Sequence, residues 1–242
     1  MMKNRFLFVA MLFATLSLGF VSCDNKGNNP DDPTKGGQNE QDGSHKGHAY
    51  VDLGLPSGLK WATCNVGATK PEEYGNYYAW GETTPKTEYN WSTYKWCNGS
   101  ENTMTKYCTN SDYGTVDYKT ILDPKDDAAS VNMGGSWRMP TKGEWMELQE
   151  ECTWEWKQSY KGTTAGYLVT SKANGNSIFF PAAGCRDGSG LYGAGLDGGC
   201  WSSSLNTGRS GRAYGLYFGS DDVSWSSDGR CCGRSVRGVF SK

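Results

Sequence analysis

GCRDGSGLYGAGLDGGCWSSSLNTGRSGRAYGLYFGSDDVSWSSDGRCCGRSVRGVF, residues Gly184 to Phe240, is the stretch on which the reading of this 242-residue chain turns. Of its 57 residues 14 are Gly and 10 are Ser, yet it also carries Trp201, Trp225, Tyr192, Tyr214, Tyr217 and six Arg. Rings give contact area at low entropic cost and small residues adapt around them, so the mixture points to a binding-loop surface. The stretch has no Lys, Glu, Gln or Met, whereas those four types supply 27 of the 137 residues from Gly47 to Ala183. A β-rich Gly/Ser segment depletes Lys and Glu for structural reasons; a genetic cause is the alternative.

Upstream, Trp137-Arg138-Met139-Pro140-Thr141-Lys142-Gly143-Glu144 carries the clearest local signal. Thr141 and Glu144 form a capping box after a proline, and Trp145, Leu148 and Cys152 follow on one helical face. Asp123-Pro124-Lys125-Asp126-Asp127 predicts a second helix start, with carboxylates at the positive end of its dipole. Short strands are predicted over Ala49 to Leu53, Leu59 to Cys64, Tyr167 to Thr170, Ser177 to Pro181 and Ser235 to Val239, with Asn174-Gly175 as a hairpin turn. Thr83 to Lys119 reads as a long excursion anchored by isolated aromatics, and the run from Tyr74 to Glu82 as aromatic core packing. Trp137, Trp145, Leu148, Trp201, Val236 and Val239 are predicted core.

The N-terminus reads as an address. Lys3 and Arg5 precede 16 mainly apolar residues, Phe6 to Val21, short of the roughly 20 that a membrane span needs. Residues 1–22 are therefore expected to be a signal peptide. Cys23, directly after Ser22, matches a bacterial lipobox apart from Phe20, and is the expected lipidation site. Residues 23–46 hold no large apolar side chain and read as a flexible stalk, leaving 47–242 as one domain. An outer-membrane lipoprotein at the cell surface follows as the expectation, touching membrane only through its lipid. A formal net charge of −2 argues against nucleic acid, and a monomer is expected.

VDLGLPSGLKWATCNVGA, YYAWGE, DDAA with GGSWRMPT, IFFPAAG, WSSS and the terminal GRSVRGV together resemble the Fibrobacter succinogenes major paralogous domain family across about Gly47 to Phe240. That resemblance implies an α+β, C-type-lectin-like fold of twisted antiparallel strands with one or two helices and long irregular loops. The end from 184 to 240 is also similar to the variable region of retroelement-diversified proteins, whose randomised codons cannot encode Lys, Glu, Gln, Met or Trp. Trp201 and Trp225 would then be fixed scaffold positions. Family members commonly carry Tyr where this chain has Cys185, Cys200, Cys231 and Cys232, which makes these cysteines look like sampled variants.

Few residues suggest catalysis. The only histidines, His45 and His48, fall at the end of the expected stalk, so the domain is read as lacking a histidine base. Asp221 and Asp222 are read as a solvated pair rather than an acid/base couple. Cys231-Cys232 invites comparison with formylglycine-generating oxidases, whose motif is absent. Cys97 with Cys108 could close a short loop, but cysteine arithmetic leaves connectivity open. No cofactor and no metal site is expected. The expected function is ligand binding without chemistry, to a protein or glycan, with a structural or adhesive surface protein as the alternative. The candidate binding residues are Asp187, Tyr192, Asp197, Cys200, Arg209, Arg212, Tyr217, Asp221, Asp222, Asp228, Arg230, Cys231 and Cys232.

Overall fold

A computed structural model describes residues 42–241. The signal segment, Cys23 and the stalk up to residue 41 lie outside the described residues. The described part is α+β, mostly antiparallel strands with two α-helices. Its first sheet joins the two ends of that part: β1 (Gly43–His45), β2 (His48–Asp52), β3 (Lys60–Asn65) and β12 (Arg237–Phe240), in that order. Lys46 and Gly47 both take positive φ, 52° and 81°, as a two-residue hairpin between right-twisted strands requires. This corrects two expectations. Residues 42–46 are folded rather than stalk, and both histidines belong to the domain: His45 stacks on Phe240 with ring centroids 4.5 Å apart.

The capping box forms as its spacing demands. Thr141 Oγ1 accepts from the Glu144 amide (3.3 Å), Glu144 accepts from the Thr141 amide (2.7 Å), and Arg138 braces the same carboxylate. Helix α2 (Lys142–Glu151) buries Trp145 and Leu148. Cys152 is buried too, but it opens a strand instead of extending the helix. The helix passes directly into β4 (Cys152–Tyr160), which hydrogen-bonds to β5 (Thr164–Ser171), itself paired with β6 (Ser177–Pro181) around the Asn174-Gly175 turn.

Helix α1 (Ala128–Met133) is preceded by a 3₁₀ turn, Pro124–Asp126. Only Asp127 caps it, accepting from the Ser130 amide at 2.9 Å. Asp126 turns inward instead, to the Tyr107 hydroxyl (2.7 Å) and the Lys106 ammonium. The excursion is tied down by such contacts: Tyr94 Oη donates to the Trp80 carbonyl (2.6 Å) and Trp96 Nε1 to that of Gly81 (2.7 Å). Cys97 and Cys108, buried within it, remain unbridged thiols, so no disulfide closes this loop.

Two tryptophans lock the centre. Trp201 Nε1 donates to the Tyr78 carbonyl (2.9 Å) and Trp80 Nε1 to the Ser202 carbonyl (2.8 Å), so the aromatic block at 77–80 is core as expected. All six predicted core side chains are at most 1 % exposed. Trp201 lies on β9 (Asp197–Leu205), which pairs with β10 (Arg212–Gly219), and β10 with β11 (Asp222–Gly229). A small hairpin, β7 (Cys185–Asp187) and β8 (Gly190–Tyr192), completes the end of the chain that carries most candidate residues.

Two predictions follow from this packing. Trp201→Ala should lower unfolding free energy by roughly 3 to 5 kcal/mol in denaturant titrations, the usual cost of emptying a buried aromatic site; an unchanged midpoint would refute its core role. Lys106 and Lys119, donating to its carboxylate, hold Asp123 at about 2, below the ordinary 3.8. A depressed carboxylate stabilises the fold above its unfolded value, and that contribution is lost as pH falls from about 4 through about 2. Melting temperatures of Asp123→Asn should decline less over that window than those of the parent, and parallel curves would contradict the linkage.

Candidate functional site

The thirteen candidate residues divide into three groups. Arg230, Cys200 and Cys231 are interior, at 0 %, 2 % and 5 % exposure, which corrects their assignment to a binding surface. Arg230 Nε donates to Tyr94 Oη (2.8 Å), and its two terminal nitrogens donate to the carbonyls of Tyr107, Ser210 and Lys106 at 2.8 to 3.0 Å. Burial pushes the Cys200 thiol up to about 11. A hydrogen bond with Cys232, then burial, raises the Cys231 thiol. These three side chains serve the frame.

Arg209 and Arg212 form the second group, at the start of β10. Arg209 is exposed in the preceding turn, and Arg212 is half-buried with Nη1 on the Ser227 carbonyl (3.1 Å). Strand rise puts Arg212 roughly 23 Å from Gly219 at the other end of β10. The two arginines are therefore remote from the candidates around Gly219.

The third group converges at the far end of β10. Gly219 is register partner to Asp197 on β9 and to Asp222 on β11. Residues directly opposite share a face of the sheet, so two carboxylates flank a position with no side chain, on strands about 10 Å apart. The carboxylates of Asp197 and Asp222 take no hydrogen bond or salt bridge among the described residues. The next row along the same face is Gly199, Tyr217 and Ser224. Cys185, Asp197, Tyr217, Asp222, Ser224 and Arg234 line a cleft of about 360 Å³ there. Asp228 lies opposite Ala213, toward the other end of the sheet, and connects to the cleft only through its ion pair with Arg234 Nη2 at 2.5 Å. Asp187 and Tyr192 are exposed on the β7–β8 hairpin, Tyr192 at 59 %, and neither lines the cleft. Asp221 is exposed in the β10–β11 turn, so the Asp221-Asp222 pair is solvated as expected. Cys232 is half-buried and packs against the core rather than lining the cleft.

Arg234 and Cys185 were not among the candidates, and for Arg234 a signal was present in Gly199. A Cβ on Gly199 would stand 2.5 Å from Arg234 Nη1, so the glycine makes room for a guanidinium laid on the sheet. Arg234 lies 4.1 Å over the Tyr217 ring, and its backbone exchanges two hydrogen bonds with Tyr78 (3.0 and 3.1 Å). It is 7 % exposed. Burial works against its charge, but Tyr217 and Asp228 outweigh that effect and raise its pKa. Burial also raises the Tyr217 phenol and the Asp197 carboxyl, with Arg234 opposing in both cases. Among the described residues Arg234 Nε and Tyr217 Oη are buried without a partner.

Such an arrangement places hydrogen-bond acceptors and donors in one small volume. All eight described cysteines are free thiols, and among the described residues no three His, Cys, Asp or Glu side chains gather as a metal site. His45 lines a different hollow, with Ser44, Tyr50, Ser136 and Phe240. No family model, curated protein or solved structure matches the chain.

Proposed function

We propose that this chain is an exported lipoprotein, anchored through Cys23 in the outer membrane, whose C-terminal half displays a ligand-binding cleft at the cell surface. The observation that carries the proposal is the cleft beside Gly219, where two unpaired carboxylates, an unpartnered phenol and a guanidinium converge from three strands and the final segment. Buried polar atoms left unpartnered are costly in a finished interior, and two of the ten such side-chain atoms among the described residues, Arg234 Nε and Tyr217 Oη, belong to residues lining this cleft. The motif resemblance supports a C-type-lectin-like class for the fold and a protein or glycan as ligand, bound without chemistry.

Diversification by a retroelement fits the missing Lys, Glu, Gln and Met, with one revision that burial imposes. Cys200, Arg230 and Cys231 belong to the frame, so variation would concentrate at exposed positions such as Asp187, Tyr192, Asp197, Asp221 and Asp222.

Gly219→Trp tests the binding proposal, because a Cβ there meets only the Leu196 carbonyl, at 3.9 Å, and the ring would fill the slot. The full chain and this variant would be applied to an array of purified glycans and surface proteins. The proposal expects the wild type to retain a defined member and the variant to lose it at least tenfold with unchanged melting. If the wild type retains nothing, or the variant retains the same member equally, the cleft is not a binding site and the adhesive surface protein is the better account.

A further inference from the structure

The cleft is asymmetric in charge, and that asymmetry identifies the chemistry it would take. Arg234 is neutralised by Asp228, so it leaves no free positive charge at the mouth. Asp197 and Asp222 have no ion-pair partner among the described residues, and Asp221 is adjacent in the turn. The mouth is therefore anionic and attracts cations. A metal ion is a poor fit, since among the described residues no third ligating side chain stands with the two carboxylates.

The spacing selects among organic cations. The two carboxylates stand on strands separated by about 10 Å, with bare Gly219 between them. An ammonium is a compact point charge and would meet one carboxylate at a time. A guanidinium is flat, carries donors on both edges, and can span between two acceptors.

Behind the mouth the requirement reverses. Arg234 is 7 % exposed, lines the cleft, and holds Nε without an acceptor; Tyr217 Oη beside it also lacks a partner. Both want an oxygen. We propose that the slot over Gly219 binds an arginine-type ligand, its guanidinium between Asp197 and Asp222 and its carboxylate or carbonyl oxygen turned toward Arg234 and Tyr217. This rests on the cleft being the ligand site proposed above. It adds the substrate class: a guanidino compound bearing an oxygen acceptor, either free arginine or an arginine that ends a peptide.

Calorimetric titration of the full chain tests this with four probes: L-arginine, L-citrulline, agmatine and the peptide Gly-Gly-Arg. Citrulline has the shape without the charge, and agmatine has the charge without the carboxylate. Arginine should bind at least tenfold more tightly than either, since each loses a charge-assisted contact. A peptide tighter than the free amino acid would identify a protein end as the source; the reverse order would identify the free solute. Asp197→Asn and Asp222→Asn should each weaken arginine about tenfold with melting unchanged, because the swap keeps the shape and neither carboxylate takes a hydrogen bond or ion pair from the described residues. Equal affinity for arginine and citrulline, or unchanged binding in both variants, would overturn the guanidinium assignment. Equal affinity for arginine and agmatine would overturn the placement of the acceptor. Should arginine fail while array retention still depends on Gly219, this inference falls and the binding cleft stands; if both fail, both fall.

Discussion

Three arginines in the last twelve residues before Ser241 are inside the protein, and the rest of the fold is arranged to satisfy them. Burying a guanidinium is costly unless its donors are met. Arg237 is met entirely by neutral groups: Asn65 Oδ1 and the carbonyls of Ala62, Thr63 and Phe179, all within 3.0 Å. Burial pulls it down to about 10. Those four acceptors tie β3 to β6, which belong to different sheets. Arg230 does the same for the excursion, collecting carbonyls at 106, 107 and 210 that no regular ladder would satisfy. The backbone of this segment adds to the effect: Arg230 pairs with Trp80, Gly233 with Arg186, Arg234 with Tyr78, Ser235 with Trp201, Val236 with Val66 and Val239 with Arg138.

The middle arginine links this frame to the proposed binding cleft. Arg230 and Arg237 have donors on all sides taken by the protein, whereas Arg234 reaches the edge of a sheet where the residues beside it are glycines. Its position is fixed by a backbone pair to Tyr78 and by Asp228, so the cleft has a rigid floor whatever its rim residues are. A rim carried on strand ends and a floor carried by the closing segment separate what can vary from what cannot. That separation suits the display role proposed for the chain.

Local chemistry was legible in the sequence where a few adjacent residues decide the outcome. Thr141 and Glu144 specified a helix start, Asn174-Gly175 a turn, and Trp201 a buried ring, because capping, positive φ and apolar bulk act over short distances. Burial of Arg230, Arg234 and Arg237 was not legible, since their acceptors come from residues up to 175 positions away. Strand β4 was missed although Cys152, Trp154 and Trp156 alternate with polar partners, because Glu155 and Lys157 mask a strand covered on one face only. The domain's start was placed too late for a related reason: Gly43 to His45 have no apolar signal of their own and are held by ladder bonds to β2 and by Trp137 Nε1 on the His45 carbonyl (3.0 Å). For the site, Asp197, Tyr217 and Asp222 were found by composition, while Arg209 and Arg212 were grouped with them only because sequence gives no distance along a strand.

The central claim is that buried arginines of the closing segment hold the irregular loops. Amide hydrogen exchange of the full chain against Arg230→Met tests it most directly, because the variant keeps the bulk and removes the donors. The account predicts faster exchange confined to 94–108 and to the turn at 210–211, with the β4–β5–β6 sheet as protected as in the parent. Unchanged protection across 94–108, or an increase spread evenly over all sheets, would contradict it.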